Sequence, residues 1–168
     1  MKRLTAVVLV CLAAGCATAP RPAAVAALEP TEGSTARGTV RFTELRDGGV
    51  EVTIDLTGVP PGVHGFHVHE KGDCGERGNA AGGHFNPMNM PHGAPDAVSR
   101  HAGDFGNVTA DANGEVHAML VFRSVTVREG AQSVVGRAVV LHANPDDLAT
   151  QPAGNAGARI ACGVVQAR

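Results

Sequence analysis

The stretch Gly65-Phe66-His67-Val68-His69-Glu70 decides how the rest of the chain is read. Residues i and i+2 of a strand leave the same face about 7 Å apart. His67 and His69 can therefore reach one ion while Phe66 and Val68 enter a core. Taken alone, an H-x-H strand describes a pair of surface histidines equally well, so the flanks must decide. On the N-terminal side Pro60-Pro61-Gly62 makes a turn, preceded by Val50, Val52, Ile54 and Leu56 in strict alternation with Glu51, Thr53 and Asp55. That is the period of a half-buried strand. Asp47-Gly48-Gly49 turns it back onto Gly38 to Leu45, where Val40, Phe42 and Leu45 oppose Arg41, Thr43 and Glu44, an antiparallel hairpin. Ala23 to Leu28 reads as a first short strand.

On the C-terminal side, Lys71 to Asn107 holds 37 residues without periodicity, rich in Gly, Pro, Asn and His. Loops of that length in a compact domain carry function. Val108 to Ala110, a turn at Asp111-Ala112-Asn113-Gly114 and Val116 to Phe122 predict a second hairpin. Gly136 to Leu141 is an apolar strand ending at His142, Ala143 to Ala156 is a second loop, and Gly157 to Val165 supplies the last strand. No stretch reads as a helix of useful length. About eight short strands separated by turn signals predict an all-β fold, an antiparallel sandwich or barrel with two long functional loops.

Composition agrees. The chain has 168 residues, no Trp or Tyr and five Phe, so its core is built from Val, Leu, Ile and Ala, with 22 Gly and 10 Pro for turns. One domain is expected. Lys2 and Arg3 followed by the apolar run Leu4 to Ala14 read as an export leader, too short and too early for a membrane span. The leader ends in Leu12-Ala13-Ala14-Gly15-Cys16, which resembles the lipobox of bacterial lipoproteins, with its leucine one place early. That reading makes residues 1–15 a signal peptide, Cys16 the lipidated residue, 16–22 a short linker and 23–168 the domain. The alternative is ordinary signal cleavage a few residues later. Without Lys2 and Arg3 the chain carries 12 basic against 16 acidic residues, which argues against a nucleic-acid partner. Cys11 falls in the leader and Cys16 at the anchor, leaving Cys74 and Cys162 to form a disulfide in an oxidising compartment.

The long loop carries His84, His92, His101 and Asp104, spaced H-x7-H-x8-H-x2-D. Three imidazoles and one carboxylate make a closed four-ligand set of the kind zinc accepts. The all-imidazole group of His67, His69 and His142 suits copper.

The blocks GFHVHEKGDC (Gly65 to Cys74), GGHFNP (Gly82 to Pro87) with HGAP (His92 to Pro95), RHAGDFGN (Arg100 to Asn107), GRAVVLH (Gly136 to His142) and GNAGARIACGVV (Gly154 to Val165) closely resemble copper/zinc superoxide dismutase of the exported bacterial type. The resemblance spans Ala23 to Gln166. It implies a flattened eight-stranded antiparallel Greek-key barrel with one copper and one zinc per subunit. It further implies copper on His67, His69, His84 and His142, zinc on His84, His92, His101 and Asp104, and His84 as the shared bridge. Asp146 would join His67 to His92, Cys74 and Cys162 would be the family disulfide, and Arg159 would receive the anionic substrate. The implied reaction converts superoxide to O₂ and H₂O₂, with copper cycling between Cu(II) and Cu(I) and His84 supplying a proton. The implied place is the cell envelope, anchored to the outer membrane and facing the periplasm.

Other residues take plainer readings. His64 is read as hydrogen-bonded beside the site, His117 as solvent-facing, and Met88 and Met90 as packing. The second loop lacks charge from Leu148 to Ala156, so the charged steering residues of the cytosolic animal and plant branch are missing, and Lys71 is a candidate replacement. Monomer and homodimer are both open. Two rival functions are an open-site zinc hydrolase or lyase, disfavoured by seven ligand positions and an arginine, and a non-catalytic metal buffer.

Overall fold

The computed structural model describes residues 21–168; the leader and Cys16 lie outside the described residues. Eight strands build the barrel: β1 (Ala23–Pro30), β2 (Arg37–Glu44), β3 (Val50–Thr57), β4 (Gly62–His69), β5 (Asp104–Ala110), β6 (Val116–Phe122), β7 (Ala138–His142) and β8 (Arg159–Val164). A two-residue β9 (Gln166–Ala167) pairs with β1, and a kinked 3₁₀ segment spans Glu76–Ala81. All ladders between strands are antiparallel, in the order β5-β4-β7-β8-β1-β2-β3-β6. The β2–β3 hairpin forms as the alternation predicts, with Val52, Ile54 and Leu56 buried inside.

The predicted second hairpin does not form as a ladder. The chain does turn at Asp111, whose N–H donates to the Glu115 carbonyl at 2.9 Å. The two strands then part, β5 to the edge of β4 and β6 to the edge of β3. Each thereby satisfies one backbone edge on a strand distant in sequence, and no ladder joins their outer edges. The resulting seam is closed by side chains, Phe105 of β5 stacking on Phe122 of β6 with ring centroids 3.8 Å apart. Residues 123–136 cross the barrel between β6 and β7. They bury Val125, Val127 and Val134 and are pinned where the Val127 N–H donates to the buried Glu44 carboxylate at 2.8 Å.

β4 and β7 position the site. His64 through His69 are all buried, as is every residue of β7. Such strands are covered on both faces, the barrel core on one side and the loops on the other. Phe66, Val68, Val139 and Leu141 join the main core. Ala138 and Val140 face outward into a small cluster with Ala81 and the disulfide half Cys162. The loop layer is held there by the Cys74–Cys162 disulfide.

Candidate metal centre

His67 and His69 project from the loop face of β4. In the β4–β7 ladder His67 lies opposite Val140 and His69 opposite Ala138, which brings His142 at the end of β7 beside them. The β7–β8 ladder sets Arg159 opposite His142. The long loop is laid onto β4 by its own backbone: the Glu70 N–H donates to Gly83 O (2.9 Å), Phe85 N–H to Val68 O (2.8 Å) and Val68 N–H to Gly103 O (3.0 Å). An isolated bridge pairs His69 with His84. A side chain at Gly103 would strike the Val68 carbonyl, so glycine is needed for this approach.

Ring partners decide which nitrogens face inward. His67 Nε2–H donates to Asp146 Oδ2 at 2.8 Å, His69 Nδ1–H to Gly82 O at 2.9 Å and His142 Nδ1–H to Gly157 O at 3.3 Å. That leaves the lone pairs of His67 Nδ1, His69 Nε2 and His142 Nε2 pointing at one another, with the last two 3.3 Å apart. His84 Nε2 joins them, and its ring centroid lies 4.0 Å from that of His67. Beyond it, His84 Nδ1, His92 Nδ1 and His101 Nδ1 crowd one carboxylate oxygen, Asp104 Oδ1, at 2.7, 3.0 and 3.2 Å. His67, His69, His84 and His142 form one buried group and His84, His92, His101 and Asp104 a second, the donor atoms of each lying within 4.8 Å of one another.

These residues fit metal ions. Among the described residues His67 Nδ1, His84 Nε2 and His92 Nδ1 are buried without a hydrogen-bond partner, an arrangement that costs free energy unless a cation sits there. Tetrahedral zinc at about 2.0 Å from each ligand puts donor atoms about 3.3 Å apart, close to the spacings around Asp104. Burial keeps the His67, His69 and His142 rings neutral, as ligation requires. It lowers His67 to about 4 and His142 to about 3, and holds His69 well below the usual imidazole range. Burial pushes the Asp104 carboxyl up, but hydrogen bonds from His84 and from the Gly93 and His101 N–H groups outweigh it and hold the group ionised.

Asp146 ties the two groups together, its Oδ1 accepting from His92 Nε2–H at 3.0 Å while Oδ2 takes His67. Its own backbone is gripped by the Asn107 amide, which accepts from Asp146 N–H (2.7 Å) and donates to Asp146 O (2.9 Å). Arg159 is half-buried, donating to Gly78 O (2.5 Å) and Gly82 O (2.6 Å), and burial draws its pKa down from the usual guanidinium value. With His69, His84 and His142 it lines a cleft of about 310 Å³, in which Arg159 is the one side chain with a fixed charge.

His64 is buried and held by the carbonyls of His142 and Pro60 at 2.8 and 2.7 Å, beside the site and outside both groups. His117 is exposed and paired with Asp55 at 3.1 Å. Met88 and Met90 are exposed, so the packing role expected of them is corrected: their side chains face solvent. Asn107 and the carbonyls of Gly78, Gly82 and Gly157 were not singled out from the sequence. A carbonyl acceptor leaves no mark in a sequence, and Asn107 reads as one more polar residue in a loop.

An antiparallel barrel that holds, under two loops, an all-imidazole donor set and a three-imidazole, one-carboxylate set sharing a histidine defines a dinuclear metalloenzyme class. Residues 36–165 match the copper/zinc superoxide dismutase family. The solved structure of the clock protein EA4 is similar at a TM-score of 0.79 and 43% identity, over 90% of this chain and 98% of its own length. The chain belongs to the copper/zinc superoxide dismutase family, whose members are oxidoreductases that bind copper and zinc.

Proposed function

We propose that this protein dismutes superoxide at a copper held by His67, His69, His84 and His142, with zinc held by His84, His92, His101 and Asp104. The observation that carries this reading is His84, whose Nδ1 belongs to one donor set while its buried Nε2 has no hydrogen-bond partner and faces the other. Copper, when bound, supplies the one-electron exchange with superoxide.

The chain's own residues supply the rest. Arg159, anchored by two carbonyls, presents a planar cationic fork that attracts and orients a diatomic anion. The low-dielectric walls of the cleft strengthen that attraction. Two superoxide ions and two protons give O₂ and H₂O₂. With copper bound, His84 Nε2 would be placed to hold one of those protons and give it to the peroxide product, and solvent would give the other. Asp146 and the Gly82 and Gly157 carbonyls fix tautomers and ring directions, so no ring must turn during turnover. Purified protein should carry both metals, and His84→Ala should lose activity together with zinc. A His84→Ala protein with full metal content and full activity would overturn the assignment.

The reading extends to location. The leader ending at Cys16 supports export and lipid anchoring, with the domain at the outer membrane facing the periplasm. A disulfide belongs in such an oxidising compartment. With β1 starting at Ala23, the six residues after Cys16 span at most about 20 Å, so the barrel would sit close to the bilayer and protect the envelope from superoxide arising there. Cys16→Ala should abolish incorporation of labelled fatty acid and release or misprocess the protein. Wild-type protein recovered unlipidated from the soluble periplasmic fraction would refute the anchor.

A further inference from the structure

Gln151 stands in the second loop, in a run without charge. Its side chain pairs with the main chain of His92: Gln151 Oε1 accepts from the His92 N–H at 2.8 Å, and Gln151 Nε2 donates to the His92 carbonyl at 2.9 Å. The amide thus pairs with both backbone groups of one residue, as a neighbouring strand would. Gln151 Nε2 also reaches the Ala149 carbonyl at 3.3 Å, which orients the amide from its own side. His92 is buried within a loop segment, 86–103, that contains no strand, so little regular backbone pairing is available to hold it. Its ring is fixed at Nε2 by Asp146 and directs Nδ1 toward Asp104. Asp146 and Gln151 both lie on the second loop: one holds the ring of His92 and the other its main chain.

We infer that Gln151 is a positioning residue for the zinc set, holding the His92 backbone so that Nδ1 stays aimed at the common point of His84, His101 and Asp104. The inference rests on the zinc assignment made under Proposed function. A two-point clamp removes the freedom of the peptide to swing, which Asp146 alone cannot do because it grips only the far end of a ring with two rotatable bonds. Without the clamp, solvent can satisfy the His92 N–H and carbonyl, so the fold survives while the ligand loses its fixed origin. Partners of this kind are worth 10- to 100-fold in metal affinity, and two neutral hydrogen bonds replaced by water argue for the lower end.

The test uses the full mature protein loaded with copper and zinc. Zinc release to a chromogenic chelator is followed for the wild type, Gln151→Ala and Thr150→Val, with copper content measured alongside. Thr150 caps the same loop through Asp147 Oδ2 at 2.6 Å and does not touch His92, so its variant loosens the loop while leaving the clamp. Cobalt placed in the zinc set of each protein reports ligand geometry through its visible d–d bands. Expected are about tenfold faster zinc release and altered cobalt bands in Gln151→Ala, with copper retained, and wild-type behaviour in Thr150→Val. Release within twofold of wild type for Gln151→Ala, or equal acceleration in both variants, would overturn the inference while leaving the zinc assignment standing. A wild-type protein that took up neither zinc nor cobalt would overturn both.

Discussion

Removing Asp104 should separate two jobs done by one carboxylate. Its Oδ1 is the acidic member of the donor set proposed to hold zinc, while Oδ2 accepts from the Gly93 N–H at 3.1 Å and the His101 N–H at 2.9 Å. The side chain is fully buried. Asp104→Asn keeps the shape, and because two backbone donors converge on the Oδ2 position, the amide oxygen will settle there and turn its NH₂ toward the histidines. A ligand is lost and the loop staple kept. Asp104→Ala loses both, leaving two N–H groups in the interior at about 1–3 kcal/mol each. The alanine protein should therefore be about 2–6 kcal/mol less stable than the asparagine protein without metal, a gap of at least about 4 °C for a domain of this size. Both variants should bind zinc more than about 100-fold more weakly than wild type, since even outer partners of a metal ligand are worth 10- to 100-fold. Zinc titration with a competing chelator and thermal unfolding of the metal-free proteins measure the two effects. A full zinc complement and an unchanged midpoint in Asp104→Ala would refute the assignment of both oxygens.

Three further outcomes follow from the same geometry. Arg159→Ala should keep copper and zinc but cut superoxide turnover severalfold or more and flatten its dependence on ionic strength, because the cleft then holds no fixed charge; unchanged turnover with full copper would show that Arg159 plays no part in attracting the substrate. Metal-free protein should lose stability on acidification. His67 and His142 have folded pKa values lowered to about 4 and about 3, so below the unfolded value near 6.5 the unfolded chain binds more protons. Their contribution is fully present above about pH 6.5 and falls as pH drops toward 4, by on the order of 3 kcal/mol for His67; urea midpoints that stayed flat from pH 7 to 4 would contradict it. Cys162→Ser opens a loop closed across 88 positions and should cost up to about 4–5 kcal/mol of loop-closure entropy, read as a lower denaturant midpoint.

Much of the barrel was legible because β3 and the β2–β3 turn obey a strict two-residue period, and because β4 places two histidines two residues apart on one face. The donor residues that the loop brings together, His84, His92, His101 and Asp104, were legible as residue types at a spacing. What the sequence hid has local causes. β5 begins at Asp104, four residues earlier than its alternation suggests, because Gly106 adopts φ +75° and the β4–β5 register shifts between Gly65 and His67. The parting of β5 and β6 depends on which distant edges need partners, and no local pattern records that. The 3₁₀ segment whose Gly78 carbonyl anchors Arg159 contains Arg77 and Gly78 at positive φ, so it has no helical periodicity to read. Gln151 and Asn107 act on main-chain groups across 59 and 39 positions, contacts that leave no spacing signature.

The most direct test of the dinuclear account is to purify the mature protein, count copper and zinc per chain, and follow superoxide turnover as copper alone is withdrawn and returned. One copper and one zinc per chain are expected, with turnover lost when copper leaves, zinc retained, and turnover restored when copper is added back. Full occupancy of both sites without superoxide turnover, or turnover that persists after copper is gone, would contradict it.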